Sequence, residues 1–198
     1  MVLKAFYEAR KGYKGFFVDV GAHHPVRYSN TLYFYKKGWR GINIEPTPTA
    51  MRMFKLLRGR DINLNVGVAE KKGELTFYCF DEPALNSFSQ EAALKASASG
   101  RYTISAELKI PVVPLREILA DHVPPGQKID FMSVDVEGLD LEVLRSNDWS
   151  RFSPEFLLVE GHVEFAKLAE DEVYQFLAGK GYSLVAKTFR TLFFRLNA

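Results

Sequence analysis

Short apolar runs alternate with helix-length segments along most of this chain, and no other feature constrains its fold as strongly. A run of roughly four to eight apolar residues suits a buried strand, and the longer spacers suit crossover helices. Repeated, the two make β-α units on a mainly parallel sheet. Residues 15–20 (GFFVDV), 40–45 (RGINIE), 62–68 (INLNVGV), 129–135 (IDFMSVD) and 156–160 (FLLVE) read as its strands. Helices are expected at 29–37, capped by Ser29 or Asn30 and ended by Gly38, and at 48–57, where Met51, Phe54 and Leu57 fall at helical spacing. Three more are expected at 114–122, at 138–147 with Leu141 and Leu144 toward the sheet, and near 170–180.

Two antiparallel pairings complete the pattern. Residues 74–80 (ELTFYCF) alternate as a half-buried strand does and pair with 108–113 (LKIPVV) as an extension of the sheet, while 182–186 and 191–196 form a C-terminal hairpin around 188–190. Residues 81–106, rich in Ser and Ala without a clean period, read as a mobile flap able to exclude water.

A chain of 198 residues fits one domain, and 47% hydrophobic content supplies a core that needs no staple. Cys79 is the lone cysteine, so neither an internal disulfide nor a cysteine-rich zinc site is expected. The net charge of +2 comes from scattered basic residues and gives no reason to expect nucleic acid. With no apolar run of about 18 residues and no secretory leader at the start, a cytoplasmic protein without a membrane span is expected.

In an open α/β sheet the ligand crevice lies outside the carboxyl ends of the strands, which directs attention to three motifs. The first strand runs into Asp19-Val20-Gly21-Ala22-His23-His24-Pro25, where Gly21 lets a ligand approach the backbone. Gly21 stands alone, whereas a dinucleotide site uses several glycines to cradle a pyrophosphate, so a cofactor without phosphate is favoured. Glu45 ends the second strand, where an acidic side chain can accept hydrogen bonds from both hydroxyls of a ribose. Ser133-Val134-Asp135-Val136-Glu137-Gly138 follows the fourth strand and puts Asp135 and Glu137 at the crevice rim. The plainer alternative is that Asp135 caps the next helix and Glu137 complements its dipole.

The segments FFVDVGAHHP, SNTLYFYKKGWRGINIEP, NVGVAEKKGELTFY, IDFMSVDVEGLDLEVLRSNDW and PEFLLVEGH, in that order, resemble the FkbM-type methyltransferase family. The resemblance implies a Rossmann-like, seven-stranded class I methyltransferase sheet that ends in the antiparallel C-terminal pair. It also implies S-adenosylmethionine as cofactor and, in general, O-methylation. Matched by position, Asp19, Gly21 and Ala22 would lie beside the methionine portion, Glu45 on the ribose, and Asn65 with Val66 near the adenine, with Asp135 and Glu137 facing the reacting centre. His23, Asn30, Pro46 and Asp135 join the expected cofactor-binding set, His23 on the reading that one of His23 and His24 lines the pocket while the other packs or faces solvent.

Methyl transfer to a hydroxyl needs in-line positioning and a base for the proton. Asp135, Glu137 and His162 are the candidates, since His162 follows the fifth strand at the same rim and imidazole titrates near neutrality. Tyr102, in the flap, is the aromatic best placed to touch substrate, whereas Phe16, Phe17, Tyr33, Phe34, Tyr35 and Trp39 read mainly as core. A metal-assisted variant, with Mg2+ held by Asp135, Glu137, Glu160 and His162, is less favoured and no metal ligand is assigned. A hydroxyl of a small molecule or glycan is the expected acceptor. The rivals are a non-catalytic adenosylmethionine-binding domain and an NAD-type oxidoreductase, the latter disfavoured by the missing glycines.

Overall fold

A computed structural model describes residues 2–197. Its main sheet has seven strands, in the spatial order β3-β2-β1-β7-β8-β10-β9. β1 (Phe16–Val20), β2 (Arg40–Ile44), β3 (Ile62–Leu64), β7 (Phe131–Val134) and β8 (Phe156–Glu160) run parallel to one another. β9 (Tyr182–Lys187) and β10 (Thr191–Leu196) close one edge as an antiparallel hairpin, with β10 paired to β8. The architecture is thus the mainly parallel α/β sheet with a C-terminal hairpin that the sequence pattern predicts.

The central strands are buried on both faces, and their two-residue alternation sorts the core into two layers. Phe16, Val18 and Val20 point to one face with Ile42, Ile44, Met132, Val134, Leu157 and Val159. α5 (Leu115–His122), α6 (Asp140–Arg145) and α7 (Glu172–Gly179) cover that face through Leu115, Ile118, Leu144 and Leu177. Phe17 points the other way, with Phe131, Phe156, Leu158 and Phe193, and meets Phe34 of α2 (Leu32–Lys36) together with Leu3 and Tyr7 of α1 (Val2–Glu8). Gly41 belongs to this layer because a Cβ there would lie 2.3 Å from the Phe17 ring. α3 (Pro48–Leu57), begun by Pro48 at its first turn, buries Met51 and Phe54.

Four departures from the predicted elements have identifiable causes. The segment 62–68 is not one strand. β3 ends at Leu64, and Gly67–Val68 (β4) joins a separate three-stranded sheet, ordered β4-β6-β5, with β5 (Gly73–Phe80) and β6 (Ile104–Val113). Asn65 makes the break by donating through Nδ2 to the carbonyls of Glu45 (2.9 Å) and Pro46 (2.8 Å), bonds that a continuing strand would not place there. The predicted antiparallel pairing of β5 with β6 is present, Leu75 opposite Ile110, yet it belongs to this small sheet and does not extend the large one.

Residues 81–106 carry regular structure where an irregular flap was expected: a 3-10 turn at Pro83–Leu85 and α4 (Gln90–Ala98), whose first turn is capped by Ser89 Oγ accepting from the Ala92 N–H (3.1 Å). α1 was not predicted at all. At seven residues it is too short to persist alone, and aromatic packing carries it: the Tyr7 ring sits edge-on to Trp39, centroids 4.8 Å apart, and its hydroxyl donates to the Asp130 carbonyl at 3.0 Å. Tyr7→Ala should therefore cost about 3–5 kcal/mol in denaturant unfolding and remove hydrogen-exchange protection across α1; a loss below about 1 kcal/mol would show that α1 is not docked this way.

Candidate active site

A cleft of about 530 Å³ opens where β1, β2 and β7 end. β1 sits between β2 and β7 in the strand order, with α2 on one face of the sheet and α5 and α6 on the other, so the chain diverges here and leaves a crevice at the carboxyl edge. Gly21 closes the bottom of that crevice. Its φ is +75°, and a Cβ would lie 1.8 Å from the carbonyl oxygen of Asp135. The sequence reading assigned the missing side chain to ligand access; the nearer constraint is the backbone at the end of β7. The N–H groups of Gly21 and Ala22 both donate to the Ile44 carbonyl, at 3.0 and 3.1 Å, which fastens the loop to β2 as well.

Glu45, 5% exposed, extends β2 into the cleft wall. Its Oε2 accepts from the His23 N–H (2.8 Å) and its Oε1 from the Thr47 N–H (2.7 Å), so the carboxylate ties the loop after β1 to the start of α3. Burial raises its pKa, and the hydrogen bonds from Thr47 and His23 oppose that rise. Each oxygen keeps a lone pair for a further donor. Asn65, predicted to lie near an adenine, instead braces Glu45 and Pro46 from behind, while Val66 and Pro46 line the cleft.

The two histidines take different places. His23 lines the cleft at φ +52°, and burial followed by the charge of His24 lowers its pKa, which keeps it neutral near pH 7. His24 holds the loop, its Nδ1 accepting from the N–H groups of Val26 (3.0 Å) and Arg27 (2.9 Å). Asn30 lines the cleft and donates to Ser133 Oγ on β7 at 3.0 Å. Asp19 follows Phe17 by two residues and so faces the α2 side, where its Oδ2 accepts from Thr31 Oγ1 at 2.8 Å. Burial pushes its pKa up to about 6 against the pull of Thr31 and Arg58.

Asp135 and Glu137 stand at the opposite wall, and neither carboxylate accepts a hydrogen bond among the described residues. Neither caps α6, whose N-cap is Leu139 without a side-chain bond, and it is Asp140 that accepts from the loop N–H groups of Val136 (3.3 Å) and Gly138 (3.4 Å). One oxygen each from Asp135, Glu137 and Glu160 lies within 4.8 Å of the others. Desolvation in the cleft is the largest cause of the shifts of Asp135 and Glu137, and Glu160 the next: Asp135 is pushed up to about 7 and Glu137 to about 8, with Arg190 pulling both down. Solvent screens Asp135 the more, because it is exposed while Glu137 is half-buried. Glu137 has φ +53°, and Ser87 Oγ donates to its carbonyl at 2.7 Å.

His162 does not join them. Its side chain is 56% exposed and bonds Glu160 Oε1 at 3.0 Å, outside the residues that line the cleft. Arg190 and Thr191, from the turn between β9 and β10 and the first residue of β10, reach the cleft instead, with Tyr102, Asn86 and Phe88 from the roof. Sequence reasoning missed Arg190, because only the pairing of β10 with β8 brings that turn to the acidic rim.

The family model described as the methyltransferase FkbM domain matches residues 19–184. In a comparison of solved structures, the chain is similar to a methyltransferase FkbM from Methylobacillus flagellatus KT, with a TM-score of 0.51 and 16% sequence identity over 92% of this chain and 43% of that one. That likeness is one of fold, and this chain spans less than half the length of that protein. No curated protein matches the chain significantly. A match that begins at Asp19, runs through Asp135 and Glu137, and ends in β9 takes in the strand ends on which the cleft is built, and the chain belongs to the FkbM methyltransferase family.

Proposed function

We propose that the chain is an S-adenosylmethionine-dependent O-methyltransferase acting on a hydroxyl of a small molecule or glycan. The observation that carries this reading is that one cleft has Glu45 at the tip of β2 and the unpartnered carboxylates of Asp135 and Glu137 on another wall. Its volume of about 530 Å³ falls in the range of small-molecule sites. Glu45 would take the ribose hydroxyls on its remaining lone pairs, Ile44, Pro46, Val66, Phe77 and Phe88 would wall the flat base, and Asp19 would face the methionine end. Charge supports the same choice. Asp19, Glu45, Glu82, Asp135 and Glu137 line the cleft against Arg190, the one lysine or arginine there among the described residues, a field that favours a cationic cofactor and disfavours the pyrophosphate of NAD.

The bound cofactor supplies an electrophilic methyl on a sulfonium that departs as a neutral thioether. The task left to the protein is alignment of the acceptor and removal of its proton. Asp135 and Glu137, raised to about 7 and about 8, have the basicity for that removal near neutral pH. Their proximity makes them titrate as a pair, and both ionise more readily beside a positive charge. Tyr102 and Arg190 would orient the acceptor from the roof and rim. Asp135, Glu137 and Glu160 also have a spacing open to Mg2+, but we assign proton transfer to the first two because His162, the fourth candidate ligand, is bonded to Glu160 at an exposed position.

Calorimetric titration with S-adenosylmethionine and with NAD, followed by transfer of a labelled methyl group to a panel of hydroxyl acceptors, tests the proposal; binding of NAD alone would reject it. Glu45→Ala should weaken S-adenosylmethionine binding by about 10- to 150-fold, the equivalent of roughly 1.5–3 kcal/mol for charge-assisted hydrogen bonds. Asp135→Asn should lower kcat far more than cofactor affinity, and equal losses in both would reassign it to binding.

The acidic wall also predicts a pH dependence of stability. Asp19, Asp135, Glu137 and Asp140 all have pKa values raised in the folded chain, so between about pH 4 and 8 the native state binds more protons than the unfolded one. Stability then falls as pH rises. The ligand-free protein should show a lower Tm at pH 8 than at pH 4, and Asp135→Asn should raise Tm by clearly more at pH 8 than at pH 4, where the unfolded carboxyl is itself largely protonated. An equal effect at both pH values would contradict the assignment.

A further inference from the structure

Arg58 is the largest side chain sealed inside the molecule, 1% exposed, and it lies outside the cleft it serves. It follows the last residue of α3, and its guanidinium divides three ways. Nε donates to Asp61 Oδ2 at 3.0 Å, Nη1 to the Pro25 carbonyl at 3.2 Å, and Nη2 to Thr31 Oγ1 at 3.1 Å. Asp61 is held in turn by the Gly41 N–H and by Asn43 Nδ2, both at 3.2 Å, while the guanidinium packs on the Tyr35 ring 4.4 Å from its centroid. A planar fork of fixed donors is required to reach three acceptors in three directions.

The polarity of this chain of bonds is decided by counting protons. Thr31 Oγ1 carries one hydrogen, and arginine has no lone pair to offer. The hydroxyl therefore accepts from Arg58, and two neighbours remain for its own proton, Asp19 Oδ2 at 2.8 Å and Ser29 Oγ at 3.3 Å. It gives that proton to the nearer, charged carboxylate, since Ser29 Oγ already accepts from the N–H groups of Thr31 and Leu32. Asp61 thus anchors Arg58, Arg58 orients Thr31, and Thr31 presents a donor to Asp19, one of the carboxylates that line the cleft. The Pro25 contact adds a second grip on the same loop, two residues past His23, whose N–H bonds Glu45.

We propose that Arg58 and Thr31 are positioning residues for the cofactor: through the Thr31 hydroxyl Arg58 holds Asp19 ionised and correctly turned, and through the Pro25 carbonyl it fixes the loop that joins Asp19 to Glu45. This inference rests on the cofactor reading of the cleft given above. Asp19 faces Arg58 and Asp61 from the α3–β3 connection, Glu45 from β2 and Asp135 from β7, so among the described residues Arg58 is the one cation acting on it against three other carboxylates. Burial already lifts Asp19 to about 6, and without the hydroxyl and the guanidinium it would rise further and be protonated near neutral pH.

The test is Thr31→Val, which keeps the β-branched shape and leaves the Arg58–Asp61 pair intact, with Thr31→Ser as the conservative control. Carbon-13 NMR titration of the Asp19 carboxyl in the ligand-free protein should give a midpoint about one pH unit higher in Thr31→Val, and adenosylhomocysteine binding at pH 7 should weaken about tenfold; Thr31→Ser should restore both to within about threefold. Should Thr31→Val not fold, Arg58→Lys, whose single ammonium cannot serve all three acceptors, is read the same way. An Asp19 midpoint and an affinity equal to those of the unaltered protein would overturn the proposal, as would a lower Tm with an unmoved midpoint. If the unaltered protein binds no adenosylhomocysteine while the Asp19 midpoint still moves, the relay stands and the cofactor reading fails.

Discussion

The site depends on one close approach. β1 ends between two neighbours that run in its own direction, and the loop leaving it must pass over the end of β7 with less than 2 Å between an added Cβ on Gly21 and the Asp135 carbonyl. With glycine there, the backbone of residues 21 and 22 can reach the Ile44 carbonyl on the far side, and three strand ends are drawn to one point. Asp19, Glu45 and Asp135 are then neighbours by topology, although they are far apart in the chain. The crevice follows from helices leaving on opposite faces of the sheet, and the glycine decides how deep it is.

That gathering has an electrostatic cost, and the protein meets it unevenly. Carboxylates taken from water need a cation or several donors to remain charged. Glu45 receives two backbone N–H groups, and Asp19 receives a hydroxyl backed by a buried guanidinium. Asp135 and Glu137 receive no hydrogen bond among the described residues, with Arg190 as a more distant counter-charge. The supported pair suits binding, where a fixed charge and direction are wanted. The unsupported pair suits proton transfer, where a carboxyl must change state near neutral pH. Such a wall opposes folding at the pH where it works, and the aromatic layer around Phe17, Phe131 and Trp39 is among the interactions that offset it.

Much of this was legible in the sequence because it follows short-range rules. Alternation and apolar runs located β1, β2, β7, β8 and the C-terminal hairpin, and the ends of those strands located Gly21, Glu45, Asp135 and Glu137. What escaped depends on contacts distant in sequence. α1 forms because Trp39 and Phe156 are there to receive Tyr7, and nothing within its seven residues announces that. The run at 62–68 alternates acceptably as one strand, and only the carbonyls of Glu45 and Pro46 explain why Asn65 breaks it. His162 occupies the end of a strand as the motifs do, yet β10 beside β8 turns the rim so that Arg190 takes the inward place. Arg58 gave no local signal either, since an arginine before glycine at a helix end reads as a solvated stop.

The roof over the cleft shows why the acceptor side is harder to infer than the cofactor side. Ser87 pairs with Tyr78 across a single bridge and bonds the Glu137 carbonyl, and Asn86 bonds Thr47 at the start of α3 (3.3 Å), so the segment carrying Phe88 and Tyr102 is fastened to both walls at once. The Ser87 contact falls on Glu137, whose left-handed backbone conformation residues with a side chain rarely adopt, so the roof and one of the two candidate bases are joined through the main chain. On the proposed reading the cofactor would be held mainly by strand ends whose geometry the sheet imposes, with Phe88 against its base. The acceptor would meet Tyr102 on a roof whose path is set by a few hydrogen bonds, so a change at Tyr102 would alter what is methylated with little effect on how the methyl donor is held.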